Sequence, residues 1–262
     1  MRHCEGTFQG TGELNLYYQS WYPQGQLQAI LVIVHGLGAH SGLFQNIVRH
    51  FSAKGCAIYA FDLRGNGRSP GQRGYINSWT EFRDDLTAFI AFVEAKEPRV
   101  PRFLLGHSLG ALIALDWILY GEGRVRGLIV LSPTLGKIGV SPLRLAIARL
   151  LSRVWPRFTL DTGIDRATSS RDPAFVADSA RDSLRHAQAS ARLATEFMDA
   201  LTRVQAGATD LTVPLLVLHG GGDRVALPEG SRCFFEKVAA PDKVLYEYPG
   251  AYHEMHNDLN YP

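Results

Sequence analysis

The clearest candidate for chemistry in this chain is a serine with a glycine two residues away on either side, in Gly106-His107-Ser108-Leu109-Gly110. An apolar run precedes this pentapeptide and a second one, suited to a helix, follows it. A strand, a sharp turn and a helix in this order form a nucleophile elbow, where glycines avoid clashes that larger side chains would cause. Free N–H groups at the helix start favour negative charge that develops there. The spacing predicts a nucleophilic Ser108; the alternative is a glycine-rich turn with an incidental serine.

A serine hydroxyl is a weak nucleophile near neutral pH, and it needs a base that a third group orients. After an elbow of this kind, the acid and the histidine follow later strands, in the order Ser, Asp, His. Asp223 follows the apolar run 215–218 through a glycine-rich turn, and His253 follows the run 244–248. We therefore expect His253 to act as general base and Asp223 to hold the imidazole.

Three other residues compete for these two roles. Asp210 and Asp242 are alternative acids, although they fit the end of a strand less well than Asp223. His256 is the alternative base, about one helical turn after His253. We favour His253 because it comes directly after the loop that ends the last strand.

Two backbone amides are predicted to hold the oxyanion of acyl transfer. One belongs to Leu109, the residue after the nucleophile. The other belongs to Leu37, which lies between Gly36 and Gly38 after the apolar run Ala29–Val34. Glycines on both sides allow this amide to face the nucleophile without a clash. The alternative is a plain glycine-rich turn.

Short apolar runs alternate with longer amphipathic segments along the chain. The runs predicted as strands are Ala29–Val34, 57–61, 103–105, Gly127–Leu131, 215–218 and 244–248, and the predicted helices are 43–54, Thr80–Lys96, Leu109–Tyr120 and 229–239. This alternation predicts an α/β fold with a mostly parallel central sheet and helices on both faces. Residues 7–22 are predicted to form an antiparallel hairpin at a sheet edge.

Residues 132–212 interrupt this pattern, because they contain no convincing strand and are too long for a loop. Leucine, isoleucine and valine recur on one helical face of 143–154, and Asp172-Pro173 predicts the start of another helix. We therefore expect residues 1–135 and 207–262 to form the core, with 136–206 as a helical cap inserted after the sixth strand.

The predicted helix 143–154 has two interpretations. In the first, its apolar face covers the active site while Arg144, Arg149 and Arg153 stay solvated. In the second, it is an interfacial helix whose apolar side chains enter lipid while the arginines meet anionic headgroups. The second interpretation predicts transient contact with a membrane surface through the cap.

Composition excludes several other classes of protein. A hydrophobic content of 46% and a charged content of 20% are typical of a soluble globular protein, and a net charge of +2 argues against nucleic acid as the main partner. Cys4, Cys56 and Cys233 are widely spaced, which predicts neither a disulfide framework nor a zinc site.

The N-terminus lacks a signal-peptide pattern and no apolar run is long enough for a membrane span, so we expect a cytoplasmic protein. Neither a metal nor a cofactor is predicted, and the sequence does not indicate an oligomeric state.

With these residues placed, the chain resembles the α/β-hydrolase superfamily, and within it the monoacylglycerol lipase and lysophospholipase group. The resemblance covers nearly the whole sequence and is carried by residues 35–42, 62–69, 106–110, 222–224 and 251–256. It implies a cofactor-free serine hydrolase that cleaves one fatty acyl ester from a single-chain glyceride or lysolipid, with a cap that shapes the acyl-chain tunnel. It also implies that 62–69 is a structural loop, and this loop lacks the G-x-x-x-x-G-K-[ST] pattern of a phosphate cradle.

The resemblance extends to the substrate contacts, with two departures. His256 matches the family's second histidine, which contacts the polar head of the substrate, and Gly36 and His107 are further candidate contacts. Animal monoacylglycerol lipases have a glutamate and an arginine that help to hold glycerol, where this chain has Ala39 and Leu43. The fold normally adds a closing helix after the histidine, so we expect either a shortened sequence or another cover for that sheet face.

Three alternatives to a lipase remain at this point. The chain can be an esterase for small esters, or an amide hydrolase similar to the proline iminopeptidases. Those peptidases need acidic cap residues for a free amine, whereas this cap is rich in arginine. The non-enzymatic alternative is a catalytically silent lipid-binding protein.

Overall fold

The computed structural model describes residues 1–121, 123–136 and 142–259. Its strands are β1 Arg2–Gln9, β2 Asn15–Tyr22, β3 Ala29–Val34, β4 Cys56–Phe61, β5 Arg102–His107, β6 Gly127–Leu131, β7 Thr159–Asp161, β8 Gln188–Ser190, β9 Leu215–Gly220 and β10 Lys243–Tyr248. Its α-helices are α1 Gln45–Ser52, α2 Thr80–Lys96, α3 Leu109–Tyr120, α4 Pro142–Val154, α5 Pro173–Arg181, α6 Ala191–Ala206 and α7 Pro228–Lys237. None of the helices in these ranges has both the length and the apolar character that crossing a membrane requires.

Eight strands form one sheet in the order β1-β2-β4-β3-β5-β6-β9-β10. β1 and β2 form the predicted antiparallel hairpin at one edge, and β2 is also antiparallel to β4. All other neighbours are parallel. The predicted α/β class with a mostly parallel sheet is therefore confirmed.

The central strand β3 shows how both faces of the sheet are buried. Ile30 and Val32 pack into the larger core, on the side of α2 and α3. Leu31 and Ile33 point the opposite way and pack with Val48 of α1. Because side chains alternate along a strand, a strand covered on both faces must be apolar throughout, as this one is.

The cap segment, defined here as residues 142–206, contains α4, α5 and α6 and also a small sheet. The expectation that residues 132–212 contain no strand is wrong, because β7 pairs antiparallel with β8. Each strand has only three residues, which is too short for a sequence period to reveal.

Asp172 caps α5 as predicted, and its carboxylate accepts from the Ala174 amide at 2.9 Å. The predicted start of the cap at 136 adjoins residues 137–141, which lie outside the described residues, as do residues 260–262 at the end of the chain.

The apolar face of α4 points away from the core. Leu143, Ile147, Leu150 and Val154 are 71%, 49%, 60% and 68% exposed. The interpretation in which this face covers the active site is therefore wrong for these four residues. Arg149 and Arg153 are exposed as well, and the side chain of Arg144 lies outside the described part of the structure. The other side of α4 packs against α6, where the hydroxyls of Ser152 and Thr195 are 2.8 Å apart.

A buried carboxylate joins the cap segment to the core. Asp116 of α3 is fully buried and accepts from the Arg83 guanidinium of α2 at 2.8 Å. It also accepts from the Arg203 guanidinium of α6 at 2.6 Å and 3.0 Å. Since α3 follows β5 through Ser108, this network ties α6 to the helix that carries the candidate nucleophile.

We expect Asp116→Asn to lower the free energy of unfolding by about 2 kcal/mol, because an amide cannot accept charge-assisted bonds from two guanidinium groups. Urea unfolding followed by circular dichroism measures this change. Asp84→Asn is the matched control, because Asp84 is exposed on α2. Equal unfolding free energies for the two variants would show that the Asp116 network does not hold these helices together.

Candidate active site

Ser108 lies at the turn between β5 and α3, in a backbone conformation that is strained for serine. Its φ of 56° and ψ of −119° are rare outside glycine. A Cβ on Gly106 would lie 2.4 Å from the Gly110 carbonyl oxygen, and one on Gly110 would lie 2.2 Å from the Val34 oxygen. The Ser108 amide donates to the Leu131 carbonyl at 3.0 Å, which ties the turn to β6. The two glycines are thus required by close packing around the serine.

The structure brings the three predicted side chains together at the carboxyl edge of the sheet. Ser108 Oγ is 2.9 Å from His253 Nε2, and His253 Nδ1 is 2.7 Å from Asp223 Oδ2. All three residues are buried. With Nδ1–H donating to the carboxylate, Nε2 is free to accept the serine proton, which is the arrangement needed for general-base catalysis.

Hydrogen bonds keep Asp223 ionised despite its burial. Its Oδ1 accepts from the amides of Val225 and Ala226 at 2.8 Å and 2.9 Å. Burial would raise the pKa of this carboxyl, but hydrogen bonds from His219 and His253 outweigh burial and lower it below its usual range. The carboxylate therefore remains charged at neutral pH and can stabilise an imidazolium at His253.

His219 is a member of this site that the sequence reasoning missed. Its Nε2 lies 2.7 Å from the Ala226 carbonyl and 3.3 Å from Asp223 Oδ2, and its Nδ1 lies 2.7 Å from the Ser231 hydroxyl. The Ala226 carbonyl can only accept, so Nε2 carries a proton that also faces the carboxylate. The sequence does hold a signal that could have pointed to this residue, namely a histidine at the end of β9, four residues before the candidate acid.

The alternative acids, Asp210 and Asp242, lie at the edge of the sheet opposite to the one that carries His253. Asp210 precedes β9 and Asp242 precedes β10, and both are exposed. In parallel strands, the start and the end lie at opposite edges of the sheet. Neither carboxylate is therefore near the edge where His253 lies.

The two candidate oxyanion donors belong to residues that line the same cavity as Ser108. Leu109 is the first residue of α3, and Leu37 lines the same cavity as Ser108. Within the described ranges, neither amide donates to a protein acceptor. Gly36 lies directly against the nucleophile, since a Cβ there would be 2.9 Å from Ser108 Cβ. This arrangement leaves two N–H groups available for an oxyanion.

Residues 62–69 bind the loop 35–42, which carries Leu37 and is called the oxyanion loop below, rather than a phosphate. Asp62 accepts from the Ser41 amide at 2.7 Å and from the Arg68 amide at 2.8 Å. Asn66 Oδ1 accepts from the Gly38 amide at 3.0 Å, next to Leu37. The polar groups that a phosphate cradle would need are thus bound within the protein.

His107 and His256 lie behind the candidate base, outside the cavity that reaches Ser108. The His107 and His253 rings are 5.0 Å apart, and His107 Nε2 is 3.3 Å from the His253 carbonyl. The His256 ring stacks on Phe44 with centroids 4.7 Å apart. Burial lowers the pKa of His256 to about 4 and that of His107 well below its usual value. Both imidazoles are therefore neutral at physiological pH.

A cavity of about 520 Å³ opens onto Ser108 between the core loops and the cap segment. Most of its wall is apolar, and Leu37, Leu109, Ala189, Leu193, Phe197, Val225 and Leu227 contribute to it. Thr134, Thr162 and Arg224 add polar groups. A cavity of this size with an apolar lining suits an extended hydrocarbon chain.

Comparison with known proteins identifies the class to which this fold and site belong. The sequence model of the family described as "Serine aminopeptidase, S33" matches residues 25–260. The chain belongs to this family of α/β hydrolases, and the resemblance predicted above is confirmed.

Several relatives and solved structures are similar to the chain. It is 32% identical to a monoacylglycerol lipase of Mycolicibacterium smegmatis over 97% of this chain and 91% of that protein. It is 30% identical to a phospholipase of Bacillus subtilis over 88% of this chain and 89% of that protein. The crystal structure of a Paleococcus ferrophilus monoacylglycerol lipase superposes with a TM-score of 0.82 at 33% identity, covering 94% and 93% of the two chains.

We expect the buried imidazoles to make folding stability depend on pH. The pKa of His256 is about 4 in the fold and about 6.5 in an unfolded chain, so the neutral form is favoured by folding. The free energy of unfolding that neutral His256 contributes is fully present above pH 6.5, and it is lost as the pH falls from 6.5 towards 4. Between pH 7 and pH 5 this loss is about 2 kcal/mol.

Urea unfolding at these two pH values measures the effect. His256→Gln should lose less stability than the wild type on acidification, whereas His50→Gln should behave like the wild type because His50 is exposed. A wild-type pH dependence in His256→Gln would contradict the expectation.

Proposed function

We propose that this protein is a serine ester hydrolase that cleaves the carboxylic ester of single-chain acyl lipids, with monoacylglycerols as the first candidate substrate. The observation that carries the proposal is the 2.9 Å contact between Ser108 Oγ and His253 Nε2, beside an apolar cavity of about 520 Å³. Residues 136–206 act in this proposal as the cap, and 1–135 with 207–262 as the hydrolase core. The similarity to monoacylglycerol lipases supports the same substrate class.

In the proposed reaction, Ser108 Oγ attacks the ester carbonyl carbon while His253 Nε2 takes the hydroxyl proton. The amides of Leu37 and Leu109 donate to the oxyanion that forms, and Asp223 stabilises the imidazolium. Collapse of the tetrahedral intermediate breaks the ester bond, and His253 returns the proton to the departing alcohol. Water, activated by His253, then attacks the acyl-enzyme and releases the fatty acid.

A lysophospholipid is the second candidate substrate. Arg224 lines the cavity at Ser108, is exposed, and forms no ion pair within the described residues. A guanidinium group in this position can pair with a phosphate on the headgroup of a substrate. The similarity to a phospholipase supports this candidate. The chain also has Ala39 and Leu43 where the family has a glutamate and an arginine that bind glycerol, so its headgroup preference must be tested.

The exposed apolar face of α4 supports a role at lipid surfaces. Leu143, Ile147, Leu150 and Val154 recur at helical spacing on it. Trp155, directly after the helix, is 58% exposed, and tryptophan favours membrane–water interfaces. We propose that this face inserts transiently into the surface from which the substrate is taken.

A fluorophosphonate probe tests the nucleophile. The wild type should be labelled at Ser108 and Ser108→Ala should not, because only an activated serine reacts quickly with such probes. Ser183→Ala, which alters an exposed serine, should be labelled like the wild type. An unlabelled wild type would favour a silent binding protein instead.

Fatty acid release from monoacylglycerols, lysophospholipids and p-nitrophenyl esters of graded length then identifies the substrate class. Rapid turnover of p-nitrophenyl acetate with no release from any lipid would favour an esterase for small esters. Release of proline from prolyl amides without ester hydrolysis would favour the aminopeptidase alternative.

Leu150→Asp tests the membrane proposal. We expect about a tenfold loss of activity on monoacylglycerol in anionic vesicles, because a carboxylate on this face opposes insertion, and added salt should weaken the wild type in the same assay. Activity on soluble p-nitrophenyl butyrate should not change. Tyr246→Asp, an exposed aromatic residue on β10, should match the wild type on both substrates. Equal losses on vesicles and on the soluble ester would remove the membrane role.

A further inference from the structure

The cap segment contacts the loop that carries His253 as well as the substrate cavity. The Glu254 amide donates to the Ser169 carbonyl at 2.7 Å. Arg171 donates to Asp258 at the end of the same loop, from its amide at 2.7 Å and from Nε at 2.9 Å. Asp258 in turn accepts from the Tyr252 amide at 2.8 Å. The cap therefore binds the loop at residues that follow the candidate base, and Asp258 links these contacts to Tyr252, which precedes it.

A buried ion pair adds a further link between the cap and this loop. Arg185 Nη2 lies 2.6 Å from Glu254 Oε1, and the two side chains are 8% and 5% exposed. Glu254 directly follows His253 in the chain. The cap residue Arg185 thus holds the neighbour of the candidate base.

This ion pair is poorly arranged for stability alone. Nε and Nη1 of Arg185 are buried and have no hydrogen-bond partner among the described residues. Burying donors without partners costs free energy, and buried ion pairs are often no more stabilising than apolar residues of the same volume. What the pair provides is a fixed position for the loop around Glu254.

The segment that presents Arg185 is itself bound to the core. Upstream, Asp182 lies 2.7 Å from His40 Nε2. Downstream, the His186 amide donates to the Gly38 carbonyl at 3.1 Å, in the loop of the candidate oxyanion donor Leu37. One short cap segment thus contacts both the oxyanion loop and the histidine loop, so its position affects both.

Several charged and titratable groups surround His253. Asp223 bonds to its Nδ1, with His219 beside that carboxylate, and His107 and His256 lie behind the ring. Glu254 with Arg185, and Asp258 with Arg171, are ion pairs on the same loop, and in each pair the opposite charges cancel. Removing Arg185 would leave a buried carboxylate that favours protonation of the nearby imidazole.

We infer that Arg185 is a positioning residue for His253, acting through Glu254, so that this part of the cap belongs to the catalytic apparatus and not only to the substrate cavity. The inference rests on the proposed roles of Ser108, Asp223 and His253. It implies that the cap affects turnover even for substrates too small to contact it.

Arg185→Met tests this inference with p-nitrophenyl butyrate between pH 5 and pH 9. We expect kcat to fall roughly tenfold or more, because small displacements of a reacting group are costly, with KM changed by less than about twofold. The acid limb of the kcat/KM profile should move to higher pH. In Arg185→Met/Glu254→Gln that limb should return to its wild-type position while kcat stays low.

Two controls separate this role from a structural one. Arg181→Met, at an exposed cap arginine at the end of α5, should behave like the wild type. Arg185→Lys keeps the charge, so its acid limb should stay in place while kcat is partly recovered. Rates are normalised to the fraction of enzyme that a fluorophosphonate titrates, which removes the effect of unfolded molecules.

The inference would be overturned if Arg185→Met keeps the wild-type kcat. It would also be overturned if kcat falls while the acid limb of the kcat/KM profile stays at its wild-type pH. If Arg185→Met does not fold, Arg185→Gln decides by the same readouts. An active Ser108→Ala would refute the proposed function itself, whereas an unaffected Arg185→Met with an inactive Ser108→Ala refutes only this inference.

Discussion

The contact between Ser108 and His253 depends on the direction of the strands that carry them. β5, β9 and β10 run parallel, so their carboxyl ends lie at one edge of the sheet. Ser108, Asp223 and His253 each follow one of these ends. A residue that precedes its strand, such as Asp242, lies at the opposite edge and cannot take part. The sheet topology therefore selects which polar residues can interact.

Buried neutral histidines lie on the loops and strand ends near the candidate site. His35 accepts from the Leu63 amide at 2.9 Å and bonds to the Gly36 carbonyl at 2.7 Å, and burial lowers its pKa to about 4. His107 and His256 are held neutral in the same way. A neutral imidazole has one donor and one acceptor, so it can fix two backbone groups without adding a charge near His253. Burial thus disfavours the cationic form at His35, His107 and His256.

The sequence predicted the parts of the structure that follow from local pattern. Strands buried on both faces give continuous apolar runs, and the elbow at Ser108 needs glycine at fixed positions, so both leave a recognisable signal. The pairing of β7 with β8 left none, because three-residue strands are shorter than any detectable period. The outward direction of the apolar face of α4 was also undecided, since periodicity defines a face but not what covers it. The link from Arg185 to Glu254 joins residues 69 positions apart, and only the packed structure reveals it.

The cap segment has two parts with opposite physical character. α4 carries exposed apolar side chains and packs mainly against α6. The stretch from residue 169 to 186 is instead bound to the core by ion pairs, including Arg171 with Asp258 and Arg185 with Glu254. Moving this second part would break buried charged contacts, whereas the described side chains of α4 form no ion pair. We therefore expect the stretch from residue 169 to 186 to stay in place and to keep the loop of His253 fixed.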